Sequence, residues 1–397
     1  MILKLKQKEK NLLLIIAIMT AIWAGIYLTN KQEQDSSFIK YVDQIFASCR
    51  NENYRPACYD KEIPKLMDYI SMEDAFKVTK LVQKQDAEYL YCHVLAHNLS
   101  AREVAKNPDD WKEVVSRCPS GMCSNGCIHG GFQERFRAES FTEEQIETLI
   151  SDLKTLCEPR EKWKPTGLEQ GSCYHALGHL TMYLTSADIN AALRICGRVS
   201  TRFLQLCYDG AFMQIFQPLE PEDFALIVGK EVRKEKLKDF CSNYQGKQKS
   251  SCWSEGWPLY RVEILKPEGL AQYCSLENTP EPERCVSSLL YVLTAQFHLD
   301  TLRVIDYCSQ MPSVWQGRCF ASAASRMIET DYSLAERAVS ICNAATEAYR
   351  DGCFGELLTF STYNYHPKSE GFYKLCASLP ENWKTKCLGD KNNNESR

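Results

Sequence analysis

Histidine is scarce in this chain, with seven residues in 397, and five of the seven fall between positions 93 and 179. Two pairs read His-x3-His: His93/His97 in HVLAH and His175/His179 in HALGH. On a helix, residues four apart lie one turn apart on the same face, so each pair aims two imidazoles at one point. Neutral imidazole is a common ligand of zinc, copper and iron, and this spacing is a familiar way to present two of them. The fifth histidine, His129, stands between the pairs in sequence. Val94 and Ala176 follow the first histidine of each pair, so the zinc-protease motif H-E-x-x-H is absent. G-x-S-x-G, a P-loop and a dinucleotide G-x-G-x-x-G are absent as well. Glu134 and Asp209 could serve as acid or base beside a metal, but no catalytic residue is singled out.

The elements that must position these histidines are marked by cysteine. The chain has 20 cysteines, and six pairs share the spacing C-x10-C: Cys196/Cys207, Cys241/Cys252, Cys274/Cys285, Cys308/Cys319, Cys342/Cys353 and Cys376/Cys387. Three looser pairs precede them, Cys49/Cys58, Cys118/Cys127 and Cys157/Cys173. The first cysteines of the last five regular pairs recur after 33, 34, 34 and 34 residues. Each period reads as two helices. Between Cys319 and Cys342 an apolar-periodic run reaches Glu329, Thr330 to Ser333 form a turn with capping residues, and a second helix rich in alanine follows. No segment alternates with a period of two, so no strand is expected. The expected fold class is all-α: an αα-hairpin solenoid, or superhelix, of about ten disulfide-stapled repeats. Each cysteine pair joins the end of one hairpin to the start of the next.

Numbering each repeat from its staple cysteine, with Tyr91 standing in where that cysteine is displaced, puts His93, His129 and His175 at plus two. His97 and His179 fall at plus six, where the middle repeat has Gln133. Asp60 and Asp209 take plus two in the flanking repeats, and Met213 takes plus six. Later repeats carry Ser254, Ser287, Ala321 and Gly355 at plus two, so ligand-type residues fade along the column. The candidate metal ligands are therefore His93, His97, His129, His175 and His179, with Gln133 and Asp209 as additions. Zinc, copper, iron or haem are the candidate cofactors. Neighbouring first helices should lie roughly 8–10 Å apart, so adjacent repeats can share an ion. The two pairs lie two repeats apart and can share one only if the row curls tightly; otherwise there are two sites, or one site and one polar network. A polar packing seam is the competing explanation, since Gly126, Gly130, Gly131, Gly171 and Gly178 surround these histidines. Five imidazoles in register favour the metal.

Nine pairs leave Cys92 and Cys123. Aligning His93–His97 with His175–His179 sets Cys92 opposite Tyr174, off the staple face and free to meet Cys123 in the next loop. The expected set is then Cys49–Cys58, Cys92–Cys123, Cys118–Cys127, Cys157–Cys173, Cys196–Cys207, Cys241–Cys252, Cys274–Cys285, Cys308–Cys319, Cys342–Cys353 and Cys376–Cys387. The alternative is zinc held by Cys118, Cys123, Cys127 and a histidine. A framework of this density belongs to an oxidising compartment, which favours bridges.

The N-terminus is expected to reach that compartment by a membrane anchor. Residues 1–10 carry Lys4, Lys6, Lys8 and Lys10, and 11–29 run NLLLIIAIMTAIWAGIYLT without a charge. A spanning helix needs about 20 apolar residues, and a basic flank stays inside. No A-x-A site follows, so an uncleaved transmembrane helix is expected over a cleaved signal peptide. The chain would then be a single-pass membrane protein with a cytoplasmic tail 1–10, an anchor 11–29 and a linker 30–44. A His-rich half 45–217, regular repeats 218–388 and a disordered tail 389–397 would lie in the periplasm or outside the cell. A net charge of −4 offers no basic surplus for nucleic acid, which is not expected as a partner.

In its 34-residue period and helical-hairpin topology the chain resembles tetratricopeptide repeats, and in its stapled hairpins the cysteine-rich Sel1-like proteins. The resemblance covers roughly residues 45–390 in architecture, while the W-L-G-Y-A-F-A-P signature is not legible. It implies a groove lined by the first helix of each hairpin, with a protein or peptide partner in it. The expected function is an extracytoplasmic binding scaffold, anchored in the membrane, with a His-cluster metal or haem site. A metal-dependent enzyme, redox or hydrolytic, and a purely structural interaction solenoid remain open.

Overall fold

The computed structural model describes residues 38–119, 122–136, 141–161, 163–218 and 221–389. Among them are α-helices and short 3-10 turns and no strand, apart from one isolated bridge between Arg160 and Trp163. The membrane-spanning part of the expected architecture is corrected. Among the described residues no helix is long and apolar enough to cross a membrane. The stretch 11–29, to which the anchor was assigned, lies outside them, as do the basic tail 1–10 and residues 390–397. The single-pass placement with a cytoplasmic N-terminus therefore has no supporting helix. The ten disulfides fit an oxidising setting outside the cytosol.

The fold divides into two compact units, Met1–Tyr89 and Leu90–Arg397. The described part of the first holds a helix over 38–49, then Arg55–Glu62 and Met72–Gln85. Cys49–Cys58 staples the first two. Tyr59 and Tyr89, both buried, donate hydroxyl hydrogen bonds to Asp86 and Asp60, each at 2.7 Å.

The second unit is helical-repeat-like. Its inner row consists of α1 (His93–Lys106), α2 (Gly126–Phe136), α3 (Gly167–Leu184), α4 (Leu204–Phe216), α5 (Gly246–Glu255), α6 (Pro282–Gln296), α7 (Ser313–Thr330) and α8 (Glu347–Asn364). Each packs on the next, and outer helices such as Ile189–Val199 and Thr301–Gln310 cover them. Local chemistry sets the boundaries. Thr166 and Glu169 form a reciprocal capping box at the start of α3, and Asp188 and Asp300 cap the outer helices. The outer helix Ile189–Val199 buries Ala192, Leu193, Ile195, Cys196 and Val199 on one face. By contrast, α3 and α4 are buried on most sides, polar residues such as Glu169, Asp209 and Gln214 included, because neighbours cover them on both sides.

The inner row turns back on itself. Its last member, α8, packs on α3, with Tyr363 against Gly167 and His366 Nε2 3.6 Å from the Glu169 carboxylate. Arg326 of α7 donates to the Tyr91 hydroxyl just before α1. Ten disulfides tie the hairpins, nine along the ladder plus Cys92–Cys123, and no cysteine is free. Cys118, Cys123 and Cys127 are all bridged, so no thiolate is left there for zinc.

Candidate metal centre

Two pairs of inner helices, α1/α2 and α3/α4, touch backbone to backbone, and the first contact brings His129 to His93 and His97. A Cβ on Gly130 of α2 would lie 2.2 Å from the His97 carbonyl oxygen, and one on Gly126 would lie 2.3 Å from that of His93. Between α3 and α4 the same device recurs: a Cβ on Gly210 would come 1.9 Å from the His175 carbonyl oxygen. Only glycine permits such approach. The helices therefore sit closer than ordinary side chains allow, and their imidazoles converge.

The ring of His129 lies 5.1 and 5.3 Å from those of His93 and His97, and 5.5 and 5.8 Å from those of His175 and His179. Within each His-x3-His pair the Nε2 atoms face each other, at 3.1 Å for His93/His97 and 3.2 Å for His175/His179. One ring nitrogen from each of His93, His97 and His129 lies within 4.8 Å of the other two, which makes a group able to hold a metal ion. Two nitrogens bound at about 2.0–2.1 Å to one tetrahedral ion would be about 3.3 Å apart, close to the separations seen. His129 Nε2 is buried and has no hydrogen-bond partner. A lone nitrogen shut away from water is costly unless something occupies it.

Hydrogen bonds outside the cluster set which nitrogen carries the proton. His93 Nδ1 meets the Cys123 carbonyl at 3.2 Å, and a carbonyl can only accept, so Nδ1 is the N–H and Nε2 keeps its lone pair. His179 is fixed through two links. Gln214 donates its amide to Asp223 at 2.7 Å, which turns its oxygen toward His179 Nδ1, also at 2.7 Å. That nitrogen must then donate, leaving the His179 Nε2 lone pair for the cluster. Such outer hydrogen bonds are how metal-binding histidines are oriented. Burial lowers the pKa of His93 to about 4 and holds His97, His129 and His175 well below the usual 6.5; His179 is lowered as well. Neighbouring rings add to this, because a charge on one opposes a charge on the next. The cluster is therefore neutral at pH 7, the form that binds metal.

The site residues expected from sequence separate as follows. All five column histidines come together. Gln133 lines the pocket beside them and donates to Tyr183 at 3.2 Å and Asp223 at 3.3 Å. Met213 lines the same pocket. Asp209 is instead bound to Arg284, which also reaches Ser254 at 3.3 Å, and Glu255 lies nearby with its pKa raised by desolvation and by Asp209. Asp60 lies in the first unit. His298 is exposed in a turn and His366 pairs with Glu169, so neither enters the cluster. Tyr183, Gln214, Asp223 and the Cys123 carbonyl were not singled out from the sequence. They fall off the plus-two and plus-six column, and Asp223 sits in the long interval between Cys207 and Cys241 where the period is least regular. His93, His97, His129, His179, Tyr183 and Asp223 bound one small pocket.

Fold and site together define a disulfide-laddered helical-repeat protein with a close-packed, largely enclosed histidine cluster. Comparison with protein families, curated proteins and solved structures finds no match to the chain.

Proposed function

We propose that this protein is an extracytoplasmic helical-repeat scaffold built around a transition-metal centre, with His93, His97 and His129 as the ligands of the ion. The observation that carries this reading is the partnerless, buried Nε2 of His129 beside a His-x3-His pair whose neutral nitrogens converge. A packing seam would satisfy all its polar atoms internally; here His93 and His97 share a hydrogen bond at 3.1 Å, but His129 Nε2 beside them has no partner. All-imidazole ligation suits zinc, copper or iron. A bare ion fits better than haem, since two imidazoles one turn apart on one helix cannot grip opposite faces of a macrocycle. The scaffold part of the reading rests on the repeat architecture, whose stacked helices offer extended surfaces to a protein or peptide partner.

A metal-dependent enzyme is the second reading, and one observation favours it. Three protein ligands leave a coordination position open, as catalytic zinc sites do, and the adjoining pocket holds Tyr183 and Asp223. Zinc content of purified full chain, measured after loading and exhaustive dialysis, tests the metal reading. Wild type should retain zinc and His129→Ala should retain far less with its fold intact. Folded wild-type protein that retains none would end both metal readings.

A further inference from the structure

We propose that His175 and His179 hold a second metal ion of their own, making the cluster a two-ion centre with His129 standing between the sites. This rests on the reading above that the imidazoles bind metal. The three-nitrogen group within 4.8 Å comprises His93, His97 and His129, and includes neither member of the second pair. Yet that pair repeats the first in its spacing and in the approach of its nitrogens. It spans one helical turn, and its Nε2 atoms face each other at 3.2 Å.

The second pair is also prepared from outside. Asp223 can only accept, so it fixes the Gln214 amide, and Gln214 fixes the His179 tautomer with its Nε2 lone pair inward. Cys123 does the same for His93. Each pair therefore has one lone pair oriented from outside the cluster. Asp223 also places a buried carboxylate one residue away from the ligand, where it offsets the charge of a cation. Arg284 opposes that charge near His175, and Asp209 pairs with Arg284. A separation of 3.2 Å subtends about 100° at an ion about 2.1 Å from each nitrogen, so the geometry suits a tetrahedral or octahedral divalent ion with solvent completing its sphere.

Zinc binding to the full chain, followed at pH 7.5 by equilibrium dialysis and native mass spectrometry, tests this. Wild type should bind two equivalents. His175→Ala/His179→Ala should bind one, and so should His93→Ala/His97→Ala. Asp223→Asn lets the Gln214 amide turn round and should weaken one of the two equivalents about 10- to 100-fold, with the fold unchanged by circular dichroism. This conservative variant serves if the double alanine variants fail to fold; both equivalents unaffected by it would overturn the proposal. One wild-type equivalent that survives His175→Ala/His179→Ala would refute the second ion and leave the first. A single equivalent lost in both double variants would mean one shared ion, again refuting the second. No zinc at all would sink the metal reading itself.

Discussion

Replacing Gly130 by alanine adds a single methyl group and should both destabilise the protein and loosen the metal site. The added Cβ would lie 2.2 Å from the His97 carbonyl oxygen, 2.5 Å from its Cα and 2.6 Å from its carbonyl carbon. All three are backbone atoms, so no flexible side chain can swing away. Ordinary contact needs about 3.5 Å, so α1 and α2 must part by roughly 1 Å. Overpacking of this kind costs about 1–3 kcal/mol, more than the gain of about 1 kcal/mol from helix propensity. Ligand sites must hold geometry within about 0.5 Å, so parting the helices takes His129 out of register with His93 and His97. Gly352→Ala in α8 is the control, because a Cβ there meets nothing within 4 Å. It should be neutral or stabilising by up to about 1 kcal/mol. Urea unfolding with disulfides intact, paired with zinc titration, reads both effects. Unchanged stability and zinc affinity in Gly130→Ala would refute the claim that backbone contact between α1 and α2 builds the site.

Two further predictions concern protons and the odd disulfide. The metal-free protein should lose stability as pH falls from about 6.5 to about 4. In that window the unfolded chain takes up protons that the buried cluster refuses, so stability rises with pH and is complete above the unfolded pKa; His93 alone contributes roughly 3 kcal/mol. Urea midpoints at pH 4.5 and 7.5 measure this, and a flat profile would contradict the buried, neutral cluster. Removing Cys92–Cys123 with serines should cost about 3–4 kcal/mol and also weaken zinc binding, because Cys123 supplies the carbonyl that orients His93. Removing Cys376–Cys387 should cost about 3 kcal/mol and leave zinc binding alone. Equal zinc loss in both variants would argue against a local role for Cys123.

The parts of this structure legible in the sequence are those set by short periods. Cysteines recurring every 34 residues marked the hairpins, and the shifted position of Cys92 pointed to Cys123. A count of two and six from the staple gathered five histidines that the fold does bring together. The rest depends on distance in space. Whether the inner row stays open depends on the small rotation each repeat adds, and the contact of Tyr363 with Gly167 is the end result of that sum. Two arginines were equally hidden. Arg284 and Arg326 lie off the column, yet Arg284 binds Asp209, and Arg326 is fully buried over the Tyr291 ring at 3.5 Å. Turns at Ser186–Ala187 and His298–Leu299 have positive φ without a glycine or asparagine to announce them. The apolar stretch 11–29 met the length and charge criteria for a spanning helix, but no described helix carries that role.

X-ray absorption at the zinc edge of the zinc-loaded full chain at pH 7.5 tests the central claim most directly. The account requires nearest neighbours that are nitrogen or oxygen alone, at about 2.0–2.1 Å, with the outer scattering of several imidazole rings. The imidazole signal should fall in His93→Ala/His97→Ala and in His129→Ala. Sulfur neighbours at about 2.3 Å, or wild-type protein that binds no zinc while fully folded, would contradict it.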